Sequence, residues 1–340
     1  MLGYLKLETN EEELYESDYL KILKEKQGII YKVAYYICSF FYKTIAKIKY
    51  IFNIITVKEI YNAYLFIMPF RELEKTQKIK ICLKKVKKLM QKYNIQTLVA
   101  EEKLQKYHMF NKIIEDEIKK IHILDGRGIM PYLIKEIIEF TLKKQNLKTE
   151  TEDLYICAKE VNNICVENIY YLIHYFKTVN IITPNIRQFQ NIADQVENQV
   201  STVITVTNNK KKSLKKSKII VNFDFSEQEI KKYTIYRDAT IITINKNGFY
   251  ESCTYSGIQI RKVGISTSEK VKDFFEEYNL TDDCSIATLY ESLINKKQNL
   301  EYVKEKMKKD EVKIITLYGK NGVLWNLHEY SWQKIKILVY

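Results

Sequence analysis

The feature that most constrains this chain is an alternation beginning at residue 154. Short apolar runs fall at 154–158 (LYICA), 179–183 (VNIIT), 202–206 (TVITV), 218–223 (KIIVNF) and 239–244 (ATIITI). Between them the apolar residues recur at helical spacing. Cys165, Ile169, Leu172, Ile173 and Phe176 form one stripe; Ile186, Phe189, Ile192, Ala193 and Val196 form another. Strands that are apolar on both faces and alternate with amphipathic helices predict a parallel sheet covered on both sides. Right-handed crossovers then give the order 3-2-1-4-5, counted from 154. Ser226, with Glu229 three residues on, predicts a capping box that opens a short fourth helix.

Open parallel sheets bind ligands beyond the carboxyl ends of their strands, where the strand order reverses. The loops at that mouth carry Lys159, Glu160, Asn162 and Asn163 after the first strand, and Thr183, Asn185 and Arg187 after the second. Asn208, Asn209 and Lys210 follow the third, and Asp224 with Ser226 the fourth. In layout this region resembles the dinucleotide-binding domain of shikimate dehydrogenase and glutamyl-tRNA reductase. The resemblance covers roughly 123–245 and is carried by IITPNIRQFQNIADQ (181–195), SLKKSKIIVNFDF (213–225) and ILDGRGIMPYLIKEIIEF (123–140). It implies a Rossmann-like domain, and it matches the family pattern at Asp125 and Gly128, which makes Asp125 the candidate acid or base.

The chain departs from that family where the cofactor would sit. The first turn reads AKEV at 158–161, and no glycine occurs between Gly128 and Gly248. Glycines are required there because the backbone must closely approach a pyrophosphate at a helix N-terminus. Glu160 adds a repelling charge, and Thr183-Pro184-Asn185 replaces the family's phosphate grip. No dinucleotide cofactor is therefore expected. Lys159–Asn163 should build the turn instead, with Asn162 or Asn163 capping the helix through its side-chain oxygen.

Composition bounds the rest. The 340 residues suit about two domains with a real core. The formal charge is +13, but only five of the 55 basic residues are arginine (Arg71, Arg127, Arg187, Arg237, Arg261). That bias, with abundant Lys, Ile, Asn and Tyr, fits an A+T-rich genome. Lysine without arginine gives a general preference for anions, not bidentate recognition. The densest cluster, Lys210, Lys211, Lys212, Lys215 and Lys216, reads as a solvated turn, with contact to a polyanion as the alternative. Cysteines and histidines stand apart at no ligand spacing, so no metal is expected. With a polar, acidic start to the sequence, the thiols are expected reduced in the cytoplasm.

Within the apolar stretch 29–70 the longest run with few charges, Ile29–Tyr42, contains Lys32 and falls short of the roughly 20 residues of a bilayer span, and Lys43, Lys47 and Lys49 break it further. Buried helices are expected there, with interfacial membrane helices as the alternative. Residues 76–93 predict a packed helix with Ile79, Leu83, Val86, Met90 and Tyr93 inward and lysines outward. Asn247-Gly248 suggests that the last strand folds back as a hairpin, and Asn321-Gly322 marks a second turn.

The fold expected is α/β. A basic helical region (1–93) and a connecting segment (94–150) precede a Rossmann-like domain (151–245) and a small α+β extension (246–340). The function expected is a degenerate dehydrogenase-like domain serving as a binding or structural module. An enzyme using Asp125 on an unidentified ligand is one alternative, and a peripheral binder of nucleic acid or anionic membrane is the other. A protein partner or an anionic surface would be the partner in these readings.

Overall fold

The computed structural model describes residues 1–7, 18–60, 63–69, 76–105, 110, 121–197, 202–244, 255–277, 280–281, 284–294, 298–320 and 322–326. The chain divides into two compact units. One is Met1–Leu124 with Asn279–Ser285; the other is Asp125–Tyr278 with Ile286–Tyr340. The divisions expected at 93, 150 and 245 do not coincide with this one.

The first unit is built on a five-stranded sheet ordered β2-β3-β1-β4-β5. Its strands are β1 (Leu2–Leu7), β2 (Thr56–Ile60), β3 (Ala63–Met68), β4 (Thr97–Ala100) and β5 (His122–Leu124). β1 pairs in parallel with both β3 and β4, whereas β2 runs antiparallel to β3. Its described helices include α1 (Asp18–Glu25), α2 (Ile29–Phe52), α3 (Thr76–Lys92) and the single turn α4 (Glu102–Gln105). α3 meets expectation: Ile79, Leu83, Val86 and Met90 are buried against Leu5, Phe66 and Leu98. Two expectations are corrected. The N-terminal region is α/β rather than helical, because β1, β2 and β3 fall within it. Nor is 29–70 a set of buried helices: its first half is α2, which has no buried residue, and its second half is β2 and β3. Ala63–Met68 is buried at every position but Tyr64, so both faces of the strand are covered, which a helical reading of the same apolar content misses.

The second unit carries β6 (Leu154–Cys157), β7 (Thr178–Ile182), β8 (Val203–Thr207), β9 (Ile219–Asn222), β10 (Thr240–Thr243) and β11 (Ile258–Ile260). They form one sheet in the order β11-β10-β9-β6-β7-β8. Every pair is parallel. The expected order 3-2-1-4-5 is observed, and β11 extends it by one strand. This is the strand order of a doubly wound nucleotide-binding sheet, with its reversal between β6 and β9. The unit is Rossmann-like.

Among the described residues β10 does not form the expected hairpin. β10 lies between β9 and β11 and is parallel to both, so neither edge is left for an antiparallel partner. Asn247 and Gly248 themselves lie outside the described residues. The second turn behaves as expected: β13 (Lys313–Gly319) and β14 (Gly322–Asn326) pair antiparallel, with β12 (Lys262–Ser266) on the other side of β13. Gly322 sits at φ +106, a conformation that L side chains rarely adopt, while Asn321 lies outside the described residues.

The two sides of β6 show how the sheet is covered. Leu154 and Ile156 face a core shared with α5 (Ile134–Lys144), α6 (Asn163–Leu172) and α7 (Ile186–Glu197). Tyr155 and Cys157 face the opposite core, where Leu214 and Phe225 join Ile230 of α8 (Glu227–Ile230). Burying each such aliphatic side chain contributes about 1.5–3 kcal/mol, so a strand buried on both faces reads as a continuous apolar run. The remaining helices, α9 (Glu269–Glu276), α10 (Ile286–Ser292) and α11 (Leu300–Lys309), belong to the same unit as the antiparallel sheet.

The loop 125–128 is fixed by α10. Gly126 is in the left-handed region at φ +84, and its N–H donates to Glu291 Oε2 at 2.8 Å. A Cβ on Gly128 would collide with the Glu291 carboxylate, which is 4% exposed. Gly128→Ala is therefore expected to lower stability to urea by about 1–3 kcal/mol, because the carboxylate must leave a bonded position. A variant as stable as the wild type would show that Glu291 shifts without loss.

Candidate functional site

The turn after β6 decides what the mouth of the parallel sheet can hold. It runs from Ala158 to Asn162 and leads into α6. Asn162 is extended (φ −119, ψ 156), and its Oδ1 accepts the Cys165 N–H at 2.9 Å. This is the expected asparagine cap, made by Asn162 rather than Asn163. The cap leaves the N–H groups of Lys159 and Glu160 pointing out of the turn, where a glycine-rich loop presents its amides to a phosphate.

A side chain of the protein occupies that position. Asp224, in the turn after β9, accepts the Lys159 N–H on Oδ1 at 2.6 Å and the Glu160 N–H on Oδ2 at 2.9 Å. Both carboxylate oxygens are thus bonded to adjacent backbone amides across the point where the strand order reverses. Asn222 shapes the turn that delivers the carboxylate: its side chain donates to Phe225 O and accepts from Phe225 N–H, each at 3.0 Å. Burial raises the Asp224 carboxyl above its ordinary range, and the Glu160 charge adds to this. The two amides and Lys159 act in the opposite direction.

The neighbouring loops close around the same turn. Asn185 Nδ2 donates to Lys159 O at 2.6 Å, which ties the β7 loop to the β6 loop. Lys159 Nζ reaches Glu229 Oε1 at 3.2 Å, and Glu229 Oε2 accepts the Ser226 N–H at 2.7 Å in the expected capping box. These bonds hold the Glu229 carboxyl below its usual value against the opposing effect of burial, which is the largest single influence on it. Thr183 is fully buried, and its Oγ1 accepts the Asn185 N–H at 3.0 Å.

The structure thus brings Lys159, Asn185, Asp224 and Thr183 into one bonded assembly, with Asn162 capping α6 at the end of the same turn. Asn163 and Arg187 are exposed in the first turns of α6 and α7, and Asn208 is exposed in the loop after β8. Asn209 Oδ1 accepts the Lys211 and Lys212 N–H groups, each at 3.1 Å, and so shapes the lysine-rich turn. Lys210, Lys211, Lys212, Lys215 and Lys216 are all exposed there, while Leu214 between them is fully buried and pins the turn to the sheet. Asp125 accepts the Arg127 N–H on Oδ1 at 3.1 Å, and its Oδ2 lies 3.7 Å from Arg127 Nε. The sequence does not point to Glu229 or Glu291 as site partners. Glu229 is legible only as a capping residue, and Glu291 carries no local signal.

Cys157 and Cys165 flank the turn but are buried packing groups. Burial, reinforced by the Asp224 charge, pushes the Cys165 thiol up to about 12 and raises Cys157 as well. Neither is a thiolate near neutrality. Among the described residues, no group of His, Cys, Asp and Glu is placed to hold a metal.

A cavity of about 800 Å³ lies elsewhere in the unit, between the start of α5, α6 and α11. Its polar groups join helices. Lys304 Nζ donates to Tyr132 O at 3.0 Å and to Glu136 Oε1 at 2.9 Å, and sits 4.4 Å from the Tyr171 ring centre. Glu167 Oε2 accepts the Leu300 N–H at 2.6 Å, at the start of α11.

Comparison with known proteins adds little to this geometry. No protein-family model and no curated protein matches the chain. Among solved structures, the chain is similar to L-tryptophan dehydrogenase from Nostoc punctiforme, at 10% identity and a TM-score of 0.29. That match covers 74% of this chain and 64% of the dehydrogenase, so the chain spans less than two thirds of that protein. It is also similar to shikimate 5-dehydrogenase from Listeria monocytogenes, solved with shikimate and NAD, at 9% identity and a TM-score of 0.27, over 90% of this chain and 96% of that one. The 5-ketofructose reductase of Gluconobacter sp. strain CHM43 follows at 10% identity and a TM-score of 0.24, covering 72% and 78%. The fold assignment rests on the strand order and not on these likenesses.

The cap on α6 gives a direct test. Asn162→Ala should cost about 0.5–2 kcal/mol in urea unfolding, since it leaves the Cys165 N–H without its acceptor. Asn163→Ala should cost far less. Equal effects at the two positions would contradict the cap.

Proposed function

We propose that the Rossmann-like unit is a dehydrogenase-like domain that has given up dinucleotide binding and serves as a binding or structural module. The observation that carries this reading is the Asp224 carboxylate on the paired amides of Lys159 and Glu160. A phosphate at that place would need the same two donors and would meet a carboxylate already bonded to them. Lys159 is drawn sideways to Glu229, and Glu160 brings a further negative charge. The mouth is filled by the chain's own polar groups.

An acid or base role for Asp125 is less well supported. Both of its carboxylate oxygens engage Arg127 within its own loop, which favours a part in building the turn. For the lysine cluster, the anchoring of Leu214 and the Asn209 cap favour a solvated turn over a polyanion site.

Two measurements test these readings. Calorimetry with NADH or NADPH at millimolar concentration is expected to give no binding heat. A micromolar dissociation constant for either would overturn the proposal and return Asp125 to the candidate catalytic residues. For the cluster, any RNA affinity should be unchanged in a Lys210→Gln, Lys211→Gln, Lys212→Gln variant. A steeply salt-dependent affinity that this variant loses would make the turn a polyanion site.

A further inference from the structure

The first unit carries an apolar helix face that its own described residues leave uncovered. In α2 the side chains of Ile30, Ile37, Phe41, Ile48 and Phe52 recur at spacings of seven and four, and Ile29, Val33, Tyr36, Phe40 and Ile51 run beside them. All ten are exposed, from 44% at Ile48 to 81% at Ile29 and Ile30. Helical geometry places both rows on one broad face about 36 Å long. The other side of the helix is the one held by the protein. Lys49 Nζ donates to Thr56 Oγ1 at 3.0 Å, Lys78 lies 3.9 Å from the Tyr50 ring centre, and Lys85 Nζ donates to Phe52 O and Asn53 O.

Charge decides what such a face can meet. Lys32, Lys43 and Lys47 follow one edge of it at three turns and then one turn, and the helix contains no acidic residue. A second copy of α2 would present more lysines and no carboxylate to answer them. An anionic phospholipid leaflet answers both features, taking the apolar face below its headgroups and the lysine ammonium groups at the phosphate level. Among the described residues, no helix is long and apolar enough to cross a membrane, so contact would be made in the plane of the interface. We propose that α2 docks this protein on an anionic phospholipid surface through the face centred on Ile37, Phe40, Phe41 and Ile48. The proposal concerns the first unit alone and stands or falls independently of the closed mouth of the second.

The test is flotation of the full chain with phosphatidylcholine vesicles containing about one third phosphatidylserine, against vesicles of phosphatidylcholine alone. The protein should float with the anionic vesicles and be released by salt. Phe40→Asp with Phe41→Asp should lower the bound fraction about tenfold or more. Lys32→Gln, Lys43→Gln and Lys47→Gln together should remove the preference for anionic lipid. Misfolding of the double aspartate variant would mimic a loss of binding, so Phe40→Trp gives a second reading. The emission of the introduced indole should shift to the blue on vesicles and be quenched by brominated lipid. Absence of flotation, or an indole signal in the Phe40→Trp variant that is blind to brominated lipid, overturns the proposal. So does a dimer that the aspartate variant dissociates without any vesicle binding, or binding to RNA in place of vesicles.

Discussion

A parallel sheet ends every strand at the same edge, and the amides just beyond that edge must find acceptors. In doubly wound nucleotide-binding domains the ligand commonly supplies the acceptor at the reversal of strand order. Here the protein supplies it. Asp224 bonds the Lys159 and Glu160 amides, Asn185 takes the Lys159 carbonyl, and Glu229 takes the Lys159 ammonium. The Lys159 and Glu160 amides, the Lys159 carbonyl and the Lys159 ammonium thus all have partners within the protein, in a turn that contains no glycine.

The same substitution of internal for external partners recurs at the loop 125–128. Glu291 accepts the Gly126 N–H and fills the space a side chain at 128 would require. In both places a carboxylate from a distant element meets a backbone amide of a loop. Each carboxylate thereby ties a loop to an element far away in the sequence.

Much of the second unit is legible in the sequence. Strands buried on both faces, such as β6 and β9, leave continuous apolar runs, and amphipathic helices between them fix the crossovers. The Asn162 cap and the Ser226–Glu229 box are local and readable from spacing alone. The sixth strand, β11, escapes such a reading because Ile258–Ile260 is three residues long, too short for a periodic signal. The N-terminal sheet escapes it for a different reason. Ala63–Met68 is apolar throughout, and apolar content without a period does not separate strand from helix. In the candidate site the residue types are visible, but the pairing of Asp224 with Lys159 and Glu160 is not. Those residues are 65 and 64 positions apart, and only the crossover between β8 and β9 brings them together.

That separation bears on how the domain assembles. β6, β7 and β8 follow one another along the chain and pair in sequence, whereas β9 must return past all three to reach the free edge of β6. Loop closure makes that return the costlier event, so the first three strands are favoured to associate before it. The Asp224 bonds span this late seam. A contact formed after the folding barrier slows the reverse reaction more than it speeds the forward one. The carboxylate that closes the mouth is thus placed to set the lifetime of the folded sheet, acting as a latch across the joint between an early half and a late one.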